Sequence, residues 1–213
     1  MGVRKQGYTP KKRNTHARKR ASIVVIAAEG DNKTETLYLK KLGSNKVKIV
    51  FAPGKATDPV NMVNALITEC KEQDFDPKLG DKAYCMIDAD VKPEKDSQIA
   101  IAEGKASKNK AEVIVSNPCF EQWFMCHFGY STKQYCTSEE LVRDLSSKIP
   151  NYSKNRDDIY DLLLPKIDSA IDVAKRLETY NLKDGRDIHT SVFQPSTEVY
   201  KIIEAVREIE KDK

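Results

Sequence analysis

Hydrophobic positions in the first 130 residues alternate between unbroken apolar runs and helical stripes. Ser22–Ala28 (SIVVIAA) is continuous, rich in β-branched residues and closed by Glu29-Gly30, the pattern of a strand buried on both faces. Thr34–Leu42 follows as a helix and Val47–Ala52 (VKIVFA) as a second strand. Asp58 as N-cap and Pro59 at the first helical position open the next helix, where Val63, Leu66, Ile67 and Cys70 keep the 3.6-residue period. Lys82–Ile87 (KAYCMI) and Glu112–Ser116 (EVIVS) read as third and fourth strands, with a polar segment around Lys95–Lys110 between them. Asn117-Pro118 starts another helix by the same cap logic. Strands that alternate with helices and carry no polar face predict a parallel α/β sheet covered on both sides.

After about residue 130 the pattern is helical throughout. Thr137–Glu140 fits a capping box ahead of Leu141–Ser147. Asp157–Leu164 and Lys166–Tyr180 are two helices interrupted by Pro165. Ser196 or Thr197 caps a last helix whose Val199, Ile202, Ile203, Val206 and Ile209 face inward. The expected organisation is a basic, flexible arm over 1–20 and one domain over 21–213. Within that domain, 21–130 form the α/β core and 131–213 a helical lobe.

Composition keeps this picture and narrows the setting. Of 213 residues, 39% are hydrophobic and 32% charged, which describes an ordinary soluble protein. No apolar run approaches the ~18–20 residues that span a bilayer. The opening MGVRKQGYTPKKR lacks the apolar stretch of a signal peptide, so a cytoplasmic protein without a membrane segment is expected. The five cysteines form no C-x-x-C pair and the three histidines are scattered, which argues for reduced thiols and against zinc. Charge is uneven: residues 1–20 hold eight basic side chains and no acidic one, leaving 28 basic and 32 acidic residues in the rest. Such an arm either meets a phosphate backbone or solubilises the chain, and Arg13, Arg18, Lys19 and Arg20, with Lys33 in a later loop, are the candidate nucleic-acid contacts.

Chemistry in a parallel α/β sheet collects beyond the carboxyl ends of the strands. The first strand ends in Glu29-Gly30, the third in Asp88-Ala89-Asp90 and the fourth in Asn117-Pro118-Cys119-Phe120-Glu121. Carboxylates from separate strands repel one another unless a cation neutralises them, and oxygen donors without His or Cys suit magnesium or manganese. Asp88 and Asp90 also fit the bland role of turn formers or caps. Glu121 stands between two readings. It is either catalytic or a structural carboxylate bonded to a backbone amide or to Asn117, at a helix start whose i+3, i+4 and i+7 neighbours are Phe124, Met125 and Phe128. His127 and Trp123 read as packed core residues, and Lys105, Lys108 and Lys110 as a solvated helix face.

At these residues the chain resembles the RloB family. The matching pieces are Glu29-Gly30-x-x-x-Thr34-Glu35, Asp88-Ala89-Asp90, Ser116-Asn117-Pro118-Cys119-Phe120-Glu121-x-Trp123, and Pro195-Ser196-Thr197. That family resembles Toprim domains, in which a glutamate after the first strand and an Asp-x-Asp after the third form a magnesium site. The resemblance therefore implies a Toprim-like (Rossmann-like) parallel sheet core with a helical C-terminal lobe. It also implies Asp88 and Asp90 as ligands of Mg2+, for which Mn2+ substitutes, and Glu29 as the acid/base or metal-linked glutamate. It associates the chain with restriction and abortive-infection loci, antiviral defence and, in some cases, an ATPase partner. The leading expectation is a magnesium-dependent nuclease acting on RNA, transfer RNA included, slightly ahead of DNA. The alternative is a non-catalytic nucleic-acid-binding or sensor subunit of a defence complex, and a metal-dependent phosphotransferase ranks third.

Overall fold

The computed structural model of the protein describes residues 20–30 and 33–212. Five strands, β1 (Ser22–Ala27), β2 (Val47–Phe51), β3 (Lys82–Asp88), β4 (Glu112–Asn117) and β5 (Ser196–Thr197), form one sheet in the order β2-β1-β3-β4-β5. The first four are parallel, and β5 pairs antiparallel with the end of β4 through Ser116↔Thr197 and Asn117↔Ser196. From β1 the chain moves outward to β2, then returns past β1 to build β3. Strand order therefore reverses between β1 and β3, which opens a crevice at their carboxyl ends in this Rossmann-like α/β core.

The helices are α1 (Lys33–Leu39), α2 (Pro59–Glu72), α3 (Pro93–Lys108), α4 (Glu121–Cys126), α5 (Ser138–Lys148), α6 (Ile159–Leu163), α7 (Ile167–Lys183) and α8 (Val199–Asp212). The two-residue alternation of β1 explains why its apolar run is unbroken. Ile23, Val25 and Ala27 pack with Met62 and Leu66 of α2 and Ile99 and Ala102 of α3. Val24 and Ile26 belong to the opposite core with Trp123 and Phe124 of α4, Ala174 of α7 and Ile202 and Val206 of α8. Burying both faces removes any polar alternation from the strand. The helices that follow residue 130 thus cover one face of the sheet. None of the described helices is long and apolar enough to cross a membrane.

The expected elements recur with small shifts at their ends. Asp58 caps α2 by accepting from the Asn61 amide at 2.9 Å, and Thr137 caps α5 by accepting from the Glu140 amide. Two expectations need correction. Asn117 does not open a helix: it ends β4, α4 starts at Glu121, and the Asn117 amide donates to the carbonyls of Thr190 and Ser191. Ser196 and Thr197 form β5 ahead of α8, which begins at Val199; Ser196 does not cap it, while the Thr197 hydroxyl accepts from the Val199 amide at 3.5 Å and also lies 2.9 Å from that of Ser116. In both places a polar residue with the chemistry of a local cap serves a partner 73 to 81 positions away.

Asp81, just before β3, ties the amino ends of the sheet together. Its buried carboxylate accepts from the Ile23 amide at 2.9 Å, from the Asp76 amide at 2.9 Å and from Arg20 Nη2 at 2.6 Å. Removing a buried acceptor leaves those donors unmatched. Asp81→Ala is expected to lower unfolding stability by about 3 kcal/mol, read as a shift of the urea midpoint without a change of slope. A loss below about 1 kcal/mol would show that water replaces the carboxylate there.

Candidate active site at the carboxyl end of the sheet

Glu29 follows β1 by two residues, Asp88 ends β3 and Asp90 lies two residues beyond it. The crevice between the two strands holds all three. They line an open cavity of about 520 Å³ together with Glu35 of α1, Lys33 and Lys154. Gly30 makes the turn after Glu29 with φ +61, where a side chain would be strained. Asp90 and Val91 follow β3 with φ +53 and +56. A β-branched residue in that region costs energy, so the surrounding structure holds the turn in place. The Asp90 amide donates to the Pro118 carbonyl at 2.8 Å and the Ala89 amide to the Ser116 carbonyl at 2.9 Å. The two loops that follow β3 and β4 are thereby fixed to each other.

The acids divide into two groups. Glu29 and Asp90 share the ammonium of Lys95, which stands 3.0 Å from Glu29 Oε2, 3.0 Å from Asp90 Oδ2 and 2.7 Å from the Asp88 carbonyl. Burial pushes Glu29 above the usual carboxylate range despite the Lys95 charge. Burial acts on Asp90 too, but bonds and charge from Lys95, with Lys92 beyond, bring it below its ordinary value. Ser138, first residue of α5, donates its hydroxyl to Asp90 Oδ1 at 3.2 Å.

Asp88, Glu35 and Glu121 form the second group. Among the described residues no hydrogen-bond donor meets the Asp88 carboxylate. Desolvation raises its pKa well above normal, and Glu35, Glu121, Glu29 and Asp90 add repulsion. Burial pushes Glu35 up to about 7, with Glu121 and Glu29 again adding repulsion. Glu121 is only 2% exposed, at the start of α4; the Tyr152 hydroxyl donates to it at 3.1 Å and Lys154 Nζ lies 3.7 Å away. The expected structural partners, a backbone amide or Asn117, are therefore not the ones it uses. Cys119 in the cavity wall is raised well above its normal value, by burial first and then by Glu121 and Asp88, so it stays a neutral thiol. Among the described residues, no three His, Cys, Asp or Glu side chains already converge as a ready-made metal cage.

The remaining candidates separate. Lys33 lies on the rim of the cavity. Arg20 is at the other end of the sheet, engaged with Asp81. Arg13, Arg18 and Lys19 lie outside the described residues. His127 is buried, donates through Nδ1 to the Trp123 carbonyl at 3.0 Å, and is pushed down to about 4 by burial, which suits a packed neutral imidazole.

A family model described as RloB-like protein matches residues 24–206, most of the chain. The chain belongs to the RloB-like family. The matched region of this RloB-like chain includes both acidic groups, Lys95, Tyr152 and Lys154. Searches of curated proteins and of solved structures return no match. Sequence reasoning missed Lys95, Tyr152, Lys154 and Ser138 in the RloB-like site, and gave Glu35 no role. Lys95 did leave a signal: a lysine in the first turn of a helix opposes the helix dipole and calls for a local anion. Tyr152 and Lys154 left none, because a loop 31 residues beyond Glu121 carries no periodicity.

Proposed function

We propose that this chain is a magnesium-dependent nuclease with a Toprim-like site between β1 and β3, active in antiviral defence in the cytoplasm. The observation that carries the reading is Asp88: a carboxylate at the strand-order reversal, crowded by four other acids and met by no donor among the described residues. The donor set suits a hard divalent cation, since it is all oxygen, with no imidazole, and its one thiol stays protonated. Asp88 and Asp90 would hold Mg2+ or Mn2+, with Glu29 beside them. A bound ion supplies Lewis-acid stabilisation of charge on a phosphoryl oxygen.

The protein's own residues divide the remaining work. Glu29, with its affinity for protons raised, would take the proton of the attacking water as the water oxygen bonds to phosphorus. The phosphorus bond to the leaving sugar oxygen breaks, and that oxygen takes a proton from solvent in the open cavity. Lys33 and Lys154 on the cavity wall balance the non-bridging phosphate oxygens, giving binding that weakens steeply with salt. Glu121 acts from behind the wall, holding Lys154 and Tyr152. RNA, transfer RNA included, ranks slightly ahead of DNA on family resemblance, and an ATPase partner would supply the control that a toxic nuclease needs.

The test is cleavage of labelled RNA and DNA by the full chain with Mg2+, Mn2+ or EDTA, alongside Glu29→Gln. Cleavage that needs a divalent ion and falls at least about a hundredfold in the variant supports the reading. Cleavage that persists in EDTA, or in Glu29→Gln, overturns it. One observation favours a second reading, a nucleic-acid-binding or sensor subunit: Lys95 already balances Glu29 and Asp90 without any metal. Under that reading, nucleic acid binds equally to wild type and Glu29→Gln and no product forms with any ion.

A further inference from the structure

We propose that Lys95 is a built-in cation that occupies the coordination space of the acidic site and sets the concentration of divalent ion needed to load it. The inference rests on the metal-site reading above and adds to it a residue that controls loading.

The geometry is that of a filled ammonium site. Lys95 Nζ meets Glu29 Oε1 at 3.2 Å and Oε2 at 3.0 Å, Asp90 Oδ2 at 3.0 Å and the Asp88 carbonyl at 2.7 Å. An ammonium has three protons to donate, and three separate oxygen-bearing groups receive them here. Magnesium binds oxygen at ~2.0–2.1 Å, so a cage spaced for ammonium is too wide for it while the lysine remains. Two of the three carboxylates at the ion site, Glu29 and Asp90, are therefore engaged with Lys95, and Asp90 also meets Lys92 at 3.4 Å.

Location argues that this commitment is specific. Lys95 is the third residue of α3, in the turn where the helix dipole disfavours a cation. Its side chain is only 12% exposed, although a lysine at a helix start commonly extends into water. Burial alone would weaken its charge, and the facing acids more than offset that. The Asp90 backbone is held in its positive-φ turn by its amide, which donates to the Pro118 carbonyl at 2.8 Å.

A divalent ion that engages Glu29 and Asp90 must displace the ammonium, so its apparent affinity carries the cost of breaking those charge-assisted bonds. Lys95 has a four-carbon stem, and its partners Glu29 and Asp90 line a cavity open to solvent, which lets the ammonium leave without unfolding α3.

The test measures Mn2+ binding by calorimetry in the absence of nucleic acid, for wild type, Lys95→Gln, Lys95→Arg and Asp88→Asn. Thermal melts with and without Mn2+ run in parallel. Lys95→Gln is expected to bind Mn2+ at least about tenfold more tightly than wild type. It should melt lower without the ion and recover more on adding it. Lys95→Arg keeps the charge and should stay near wild-type affinity or below it. If wild type binds Mn2+, Asp88→Asn does not, and Lys95→Gln matches wild type, the loading role of Lys95 is wrong while the metal site stands. If no variant binds Mn2+, Lys95→Gln included, both fail. Should Lys95→Gln not fold, Lys95→Met takes its place. Tighter Mn2+ binding by Lys95→Arg than by wild type also overturns the role.

Discussion

Asp88→Asn is expected to abolish cleavage, by roughly a thousandfold or more, while the metal-free protein becomes more stable at neutral pH. The two effects have one cause. Asp88 is half-buried, without a donor among the described residues, and surrounded by Glu35, Glu121, Glu29 and Asp90. Its ionised form is disfavoured in the fold, so the folded state holds its proton to higher pH than the unfolded chain does. Stability contributed by the protonated acid is therefore lost as pH rises above the ordinary value of 3.8, and the amide variant escapes that loss. The variant should melt about 2–4 °C higher than wild type at pH 7, and the gain should vanish near pH 4 and below. Mg2+ or Mn2+ should raise the melting point of wild type and leave the variant unchanged. An Asp88→Asn protein that cleaves at the wild-type rate would remove Asp88 from the chemistry. One that melts several degrees lower would make it a structural carboxylate.

Parts of this site were legible because strand ends are legible. An apolar run such as SIVVIA has one reading, a strand buried on both faces, and the residue that closes it must lie at the carboxyl end of the sheet. Glu29, Asp88 and Asp90 follow from that rule alone. The strand order that brings β1 beside β3 is set by tertiary packing, and it decides that these acids share one crevice. What escaped the sequence was every partner supplied from elsewhere. Lys95 left only the weak signal of a lysine in the first turn of a helix, and the burial that singles it out is set by the tertiary structure. Asn117 and Thr197 have the chemistry of caps, and their use in joining β4 to β5 and to the Thr190–Ser191 backbone depends on contacts distant in sequence. β5 itself is two polar residues long, too short to show any period.

The same joint carries the second large expected effect: Glu198→Ala should lower unfolding stability by about 3–5 kcal/mol and change its pH dependence. Glu198 precedes α8 and is 4% exposed. Its Oε2 accepts from the Val115 amide in β4 at 3.0 Å and meets His189 Nε2 at 2.7 Å, while Oε1 takes Lys201 Nζ at 2.6 Å. His189 in turn reaches Glu103 of α3 through Nδ1. One carboxylate thus completes the hydrogen bonding of β4 and joins α3, the loop before β5 and α8. Burial raises the Glu198 pKa, but His189 and Lys201 outweigh it and the net value is lowered. His189 moves up despite its burial, because Glu198 and Glu103 hold its proton. For the carboxylate, stability is present above about 4.5 and lost as pH falls through its folded pKa. For the imidazole it is present below about 6.5 and lost as pH rises through its folded pKa. The joint is therefore strongest in the window between those two values. Urea unfolding of wild type should give a higher midpoint at pH 5.5 than at pH 8, and His189→Gln should flatten that difference without matching the loss in Glu198→Ala. Equal slopes with pH in wild type and His189→Gln would mean that the imidazole stays neutral in the fold. Glu198 would then hold β4 to α8 through Val115 and Lys201 alone.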